Sequence, residues 1–88
     1  MYTPSETESF NEKMKKLCKK DRPHFERLTK KMKEILEDPT TYKKLGNILK
    51  GVERVHIGSA FVLTFRVDEK TKIVLFIDYD HRNRIYRN

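Results

Sequence analysis

"VERVHIGSAFVLTFRVDEKTKIVLFIDY", residues 52–79, is the stretch that decides the fold. Apolar and polar side chains alternate through "VERVHI" and "AFVLTFRV", as in strands with one buried face. Gly58-Ser59 and the "DEKT" segment at 68–71 separate the runs and predict two hairpin turns. The third run, "KIVLFIDY", is apolar on both faces for most of its length. It is therefore predicted to be the central strand of an antiparallel meander.

Two amphipathic helices are predicted upstream of these strands. "SETESFNEKMKKLCKK", residues 5–20, carries one apolar stripe, and Ser5 with Glu8 fits a capping box at its start. In "DRPHFERLTKKMKEILEDP", residues 21–39, Asp21 can cap the helix and Pro39 ends it. So short a connection predicts an antiparallel hairpin. The expected fold class is α+β, with an N-terminal antiparallel helix hairpin packed on a small antiparallel β-sheet meander.

Length and composition predict a small single-domain protein. Its 88 residues, 1–88, are expected to form a single domain with one modest core. No apolar run approaches the ~20 residues of a membrane span, and "MYTPSETESF" has no apolar signal core. Cys18 is the single cysteine, which fits a reducing compartment. These features predict a cytoplasmic protein without a membrane partner.

The formal net charge of +7 lies mainly in the second half of the chain. Residues 43–88 carry ten basic and five acidic side chains, while residues 1–42 carry ten and eight. A basic excess suggests nucleic acid or an acidic protein as partner, but solubility alone would explain it equally well. The lysines of the first helix are interpreted as a mostly solvated face: Lys13, Lys15, Lys16, Lys19 and Lys20.

Two polar clusters stand out against this background. Arg54 and His56 are two apart on one predicted strand and therefore point the same way, away from the core. The tail "DYDHRNRIYRN", residues 78–88, supplies a second cluster: His81, Arg82, Arg84 and Tyr86. If the tail runs back near the first strand, the clusters would form one concave basic site. Asp78 and Asp80 have a plainer interpretation, as partners of local arginines.

Those residue types suit RNA cleavage by transesterification. A base takes the proton of the attacking 2′-OH, and an acid protonates the departing 5′-oxygen. Cations stabilise the charge on the phosphoryl oxygens, and the arginine fork fits phosphate well. Tyrosine can stack on a splayed base or donate a proton. This chemistry requires no metal, no metal-ligand spacing is seen, and no cofactor is predicted.

The chain also resembles a known family. The motifs that carry the likeness are "EILEDP", "LKGVERVHIGS" and "DHRNRIY", within a resemblance running from about Phe10 to Tyr86. They are similar to those of the RelE toxins of the RelE/ParE superfamily, notably the archaeal members. Such toxins belong to type II toxin–antitoxin pairs, and many cleave messenger RNA in the ribosomal A site without a metal. The resemblance implies three partners: the ribosome, its mRNA, and an acidic antitoxin that joins a hetero-oligomer.

The resemblance also assigns roles to residues. Arg54 and His56 fall where the family places basic residues on the first meander strand. Arg82 falls on the C-terminal catalytic arginine, and Tyr86 on the terminal tyrosine that stacks on the message or aids proton transfer. His81 matches the histidine before that arginine. The expected catalytic set comprises Arg82, Tyr86, His56, Arg54 and His81, and the expected RNA- or phosphate-binding set comprises Lys50, Arg66 and Arg84.

Two departures from the family pattern affect these expectations. Active members carry an arginine early in the next strand, where this chain has Val62, so a phosphate contact is missing unless Arg66 or Arg84 replaces it. Members also begin with an apolar strand, whereas "MYTPSETE" is polar and broken by Pro4, which predicts a truncated or absent edge strand.

Three functions follow. The first is a ribosome-dependent mRNA endonuclease, an mRNA interferase that inhibits translation. The second is a non-nuclease member of the superfamily, gyrase-directed or inert, that still binds an antitoxin. The third is a plain basic RNA-binding module that needs no antitoxin.

Overall fold

The computed structural model describes residues 1–39 and 52–85. The elements follow the order β1 (Thr3–Glu6), α1 (Glu8–Lys20), α2 (Arg22–Glu37), β2 (Glu53–Ile57), β3 (Phe61–Asp68), β4 (Ile73–His81) and the single turn α3 (Arg82–Ile85). The sequence "TTYKKLGNILKG", residues 40–51, predicts an irregular segment punctuated by Gly46 and Gly51. This segment, which includes Lys50, lies outside the described residues, as does Tyr86. No helix in the described ranges is long and apolar enough to cross a membrane.

The strands form one four-stranded sheet in the order β1-β4-β3-β2. The pairs β2–β3 and β3–β4 are antiparallel, so the predicted meander is confirmed. Gly58, at φ 66°, adopts the left-handed conformation in the first turn. β4 lies between β1 and β3, which confirms its central position. The α+β class is thus correct.

The N-terminal edge strand is present but short. β1 runs parallel to β4, with Pro4 opposite Val74, so the sheet is mixed rather than purely antiparallel. All four β1 residues are exposed, and the strand is held through backbone hydrogen bonds. Thr3 N donates to the carbonyl of Lys72 at 2.8 Å. Pro4 is tolerated because an edge strand does not need every N–H.

The start of α1 differs from the predicted capping box. Ser5 lies in β1, and the cap is Thr7, whose hydroxyl accepts from the Phe10 amide at 3.1 Å. The same hydroxyl donates to the carbonyl of Ile77 at 2.6 Å, which ties the start of the helix to β4. Asp21 caps α2 as predicted, accepting from the His24 amide at 3.2 Å.

The core lies between the two helices and one face of the sheet. The apolar stripes of α1 and α2 bury Phe10, Leu28 and Ile35 completely. The strands contribute further fully buried side chains from β3 and β4: Leu63, Phe65, Val74 and Phe76. The Phe10 and Phe76 rings stack with centroids 5.8 Å apart. Burying each such side chain stabilises the fold by about 1.5–3 kcal/mol.

Candidate nucleic-acid interface

The strand register brings the first polar cluster and the end of β4 to one end of the sheet. His56 lies opposite Val62, and Val62 lies opposite Asp80. In the next row, Arg54 lies opposite Thr64, which lies opposite Asp78. Residues directly opposite each other project from the same face, so these rows define one outer face. β2 and β4 are separated there by one strand, a span of about 10 Å.

His81 belongs to the other face. Its register partner is Phe61, which lies opposite the buried Ile57. The His81 ring meets the Phe61 ring edge-on, with centroids 5.6 Å apart, and its Nδ1 accepts from the Asn83 amide at 3.2 Å. The structure therefore brings His56 and His81 to the same end of the sheet but on opposite faces.

Arg82 begins α3 immediately beyond this end. Its amide donates to the carbonyl of Ala60 at 2.7 Å, which fixes the start of α3 against the β2–β3 turn. Arg82 follows His81 directly and therefore lies at the same end of the sheet as His56 and Asp80. The Arg82 side chain is exposed.

Val62 occupies the centre of this arrangement and is completely buried. An apolar side chain there donates nothing to a phosphate. Arg66 is exposed on the same strand, where its register partner in β4 is Leu75. It lies four residues further along β3 than Val62, which corresponds to about 13 Å. Arg84 is closer to the site, since its Nη1 lies 3.7 Å from Asp80 Oδ1. Of the two arginines, only Arg84 is therefore positioned near the gap at Val62.

A lysine that the sequence assigned to solvent lies within this region. Lys13 Nζ lies 2.6 Å from Asp78 Oδ1 and 3.1 Å from Asp80 Oδ2. Lys13 and Asp78 are both about one-third exposed, and the Asp80 side chain is 20% exposed. The main partner of the two carboxylates is thus a lysine from α1, while the pairing with local arginines that the sequence suggested is seen only as the 3.7 Å contact of Arg84 with Asp80 among the described residues.

The ion cluster shifts the pKa of two of its members. Partial burial lowers the pKa of Lys13, but its hydrogen bonds to Asp78 and Asp80 outweigh that effect and raise the pKa above the ordinary lysine value. For Asp80, partial burial raises the pKa, and the His81 amide together with Lys13 lowers it further than burial raises it. Both shifts favour the charged forms of Lys13 and Asp80.

Two adjoining clefts border the cluster. One, of about 810 Å³, is lined by residues around the end of β4: Phe61, Asp80, His81, Asn83 and Arg84. The other, of about 230 Å³, shares Phe61, Asp80 and Arg84 and adds a basic wall from α1: Lys13, Lys16 and Lys20. The spacing of lysines on a helix is the same whether they face solvent or a binding site, so the sequence of α1 could not predict this wall. Only the positions of Asp78 and Asp80 in the sheet show that Lys13 belongs to the site.

The fold is that of the RelE toxins. A chain of the intact Escherichia coli RelBE toxin–antitoxin complex superposes with a TM-score of 0.77 at 21% identity, covering 92% of this chain and 96% of that one. The isolated E. coli RelE toxin superposes with a TM-score of 0.75 at 23% identity, covering 99% and 93%. No protein-family profile matches the chain.

Sequence similarity identifies the family. Over 87 residues the chain is 41% identical to a Methanocaldococcus jannaschii protein whose name assigns it as a toxin, RelE4. The match covers 99% of this chain and 93% of the relative. The chain therefore belongs to the RelE toxin family.

Proposed function

We propose that the protein is the toxin of a type II toxin–antitoxin pair and acts as a ribosome-dependent mRNA endonuclease, with metal-independent attack by the 2′-OH in the A site. The observation that carries the proposal is the shared outer face of Arg54 and His56, with Arg82 anchored through its amide to Ala60 at the same end of the sheet. The translating ribosome as target places the activity in the cytoplasm.

The geometry supports distinct roles for these side chains. Arg82 follows the last residue of β4 with its backbone fixed to Ala60, and a guanidinium so anchored suits the developing phosphoryl charge. His56 is exposed on the outer face and can exchange a proton with the reacting ribose or leaving group. Arg54, one row further, suits a neighbouring phosphate. The assignments of His81 and of Tyr86, Lys50 and Arg66 remain predictions.

Induction of the protein alone tests this function. Growth should arrest, and primer extension on ribosome-bound message should show cuts within the A-site codon. Arg82→Ala should reduce cleavage at least about 100-fold, as expected for losing a transition-state cation. Lys33→Ala removes a charge from the exposed part of α2 and should cleave like the parent. An Arg82→Ala variant that cuts at the parental rate would show that the chemistry is assigned to the wrong residue.

An acidic antitoxin is the second part of the proposal. The matched E. coli chain is part of a toxin–antitoxin complex. In the described ranges β2 pairs only with β3, and a basic face adjoins that edge, so an acidic chain that folds on contact has both backbone and charge to bind. We expect a small acidic antitoxin to be encoded beside the toxin, and co-expression of the two should yield one hetero-oligomer on gel filtration. Elution of the toxin alone would oppose this.

One observation favours a non-nuclease toxin as second candidate. The centre of the outer face is the buried Val62, and Asp78 and Asp80 carry negative charge close by. A gyrase-directed or inert member would still bind an antitoxin but leave ribosome-bound messages intact. Val62→Arg offers a direct comparison: a gain of A-site cleavage in an otherwise silent toxin would support this candidate.

A further inference from the structure

Two carboxylates lie on the face that the proposed function assigns to RNA phosphate. Asp78 shares its row with Arg54, and Asp80 shares its row with His56. Each row spans about 10 Å from β2 to β4, so the distance from a phosphate bound over β3 to the carboxylates would be less than about 10 Å. Salt at physiological concentration screens charges over a comparable length, so it would weaken the repulsion only in part. Unneutralised carboxylates would therefore repel the substrate.

They would also compete for the arginines. A guanidinium binds a carboxylate and a phosphate with the same two-pronged geometry. Asp80 already contacts Arg84, but at 3.7 Å and with the Arg84 side chain 75% exposed, so the contact is loose. Lys13 Nζ holds the other carboxylate oxygen of Asp80, Oδ2, at 3.1 Å. The same Nζ lies 2.6 Å from Asp78 Oδ1.

The path of α1 explains why Lys13 reaches them. β1 pairs with β4 only from Ile73 to Phe76, so no β1 residue pairs with the segment 77–80 of β4. The chain turns into α1 at this point, with Thr7 bonded to the carbonyls of Phe76 and Ile77. The helix then runs along the edge of β4, and Lys13 arrives between the two aspartates.

We propose that Lys13 is a positioning residue for the RNA site: its positive charge pairs with Asp78 and Asp80 and halves their net negative charge, so that they repel a bound phosphate less and do not draw Arg84 and its neighbours away from it. The inference rests on the proposed nuclease function and adds to it a residue on α1, outside the meander and tail. Lys13 touches no reacting atom and acts only through the two aspartates.

A rescue experiment tests the proposal. Lys13→Met should raise the KM for A-site cleavage at least tenfold and steepen its dependence on salt, because both carboxylates lose their lysine partner and the net negative charge of the pair doubles. Lys15→Met removes the same charge from an exposed position of α1 and should stay within twofold of the parent. The triple variant Lys13→Met, Asp78→Asn, Asp80→Asn should return to within threefold, since it removes the carboxylate charge itself.

A merely structural role predicts the opposite pattern. If the ion pairs only hold α1 against β4, the triple variant loses them all and should be as impaired as Lys13→Met. That result, or parental cleavage by Lys13→Met, would overturn the proposal. NMR titration provides an independent check of the charge effect, because the Asp80 carboxyl pKa should rise in Lys13→Met while circular dichroism confirms folding.

A binding assay separates this inference from the proposed function. Ribosomes carrying a message with a 2′-deoxy residue at the A-site codon bind the toxin without being cut. If the parent never cleaves but binds such ribosomes at least tenfold more tightly than Lys13→Met, and the triple variant recovers, the nuclease function fails and the role of Lys13 in phosphate binding stands. Equal binding by the parent and Lys13→Met overturns the role of Lys13, whatever the cleavage result.

Discussion

At the scale of single residues, Tyr79 carries a polar group that the described part of the chain leaves unsatisfied. The side chain is 6% exposed and its hydroxyl has no hydrogen-bond partner within residues 1–39 and 52–85. Its ring stacks on Phe61 with centroids 5.3 Å apart and lies 5.6 Å from the ring of His24. The ring therefore contributes packing, whereas the hydroxyl contributes a desolvation cost.

This division predicts opposite effects for two substitutions of Tyr79. Tyr79→Phe keeps the ring and removes the unpaired hydroxyl, so it should leave the free energy of unfolding unchanged or raise it by up to about 1 kcal/mol. Tyr79→Leu loses the stacked ring and should lower it by about 1–3 kcal/mol. Urea unfolding followed by circular dichroism measures both. A loss above about 1 kcal/mol in Tyr79→Phe would mean that the hydroxyl has a partner, such as a bound water.

At the scale of elements, the junction of β1 and α1 depends on one hydroxyl. Thr7 both caps α1 and bonds to Ile77. Thr7→Ala should therefore cost about 1–2 kcal/mol of stability, from the lost cap and the lost hydrogen bond to β4 together. Ser5→Ala is the matched control on the exposed β1 strand and should cost less than about 0.5 kcal/mol. Chemical denaturation compares the two, and a larger cost for Ser5 would restore the capping box expected from the sequence.

The same junction shows which elements the sequence could predict. α1, α2 and the meander were predictable because their apolar side chains repeat with helical or strand period and are buried accordingly. β1 carries no such signal, since all its side chains are exposed and its partner β4 lies some 70 residues away. The prediction of the helix cap was wrong for a related reason. Ser5 and Thr7 are both residue types that commonly cap helices, and the contact of Thr7 with Ile77, which the local sequence does not show, distinguishes them.

In the candidate site, too, local patterns could be predicted from the sequence, whereas contacts between distant segments could not. Strand alternation correctly gave Arg54 and His56 a common direction. The position of the tail depends on the register of β3 with β4, including the irregularity at Thr64/Phe65, and hairpin sequences do not specify such a bulge. The role of Lys13 depends on two aspartates 65 and 67 residues away, so its helix alone could not distinguish it from its solvated neighbours.

At the scale of the whole molecule, the strand order predicts a gradient of local stability. From Ile73 to Phe76, β4 is flanked by β1 and β3, and the strand packs against α1, so the amides of this stretch should exchange with solvent only on near-global unfolding. In the described ranges β2 has β3 as its single strand neighbour, so the sheet holds it through one ladder of hydrogen bonds. Hydrogen exchange in the free toxin should therefore be at least about 100-fold slower for the paired amides of β4 than for the outward amides of β2.

The gradient becomes a test of partner binding when the antitoxin is added. An acidic chain that docks on the β2 edge should slow exchange of the outward β2 amides strongly and leave β4, already at the global limit, changed only by the overall gain in stability. High salt should reverse the effect, since the attraction of a chain with net charge +7 for an acidic partner is screened. Slow exchange of β2 in the free toxin, or protection confined to α2, would show that the antitoxin binds elsewhere than on this edge.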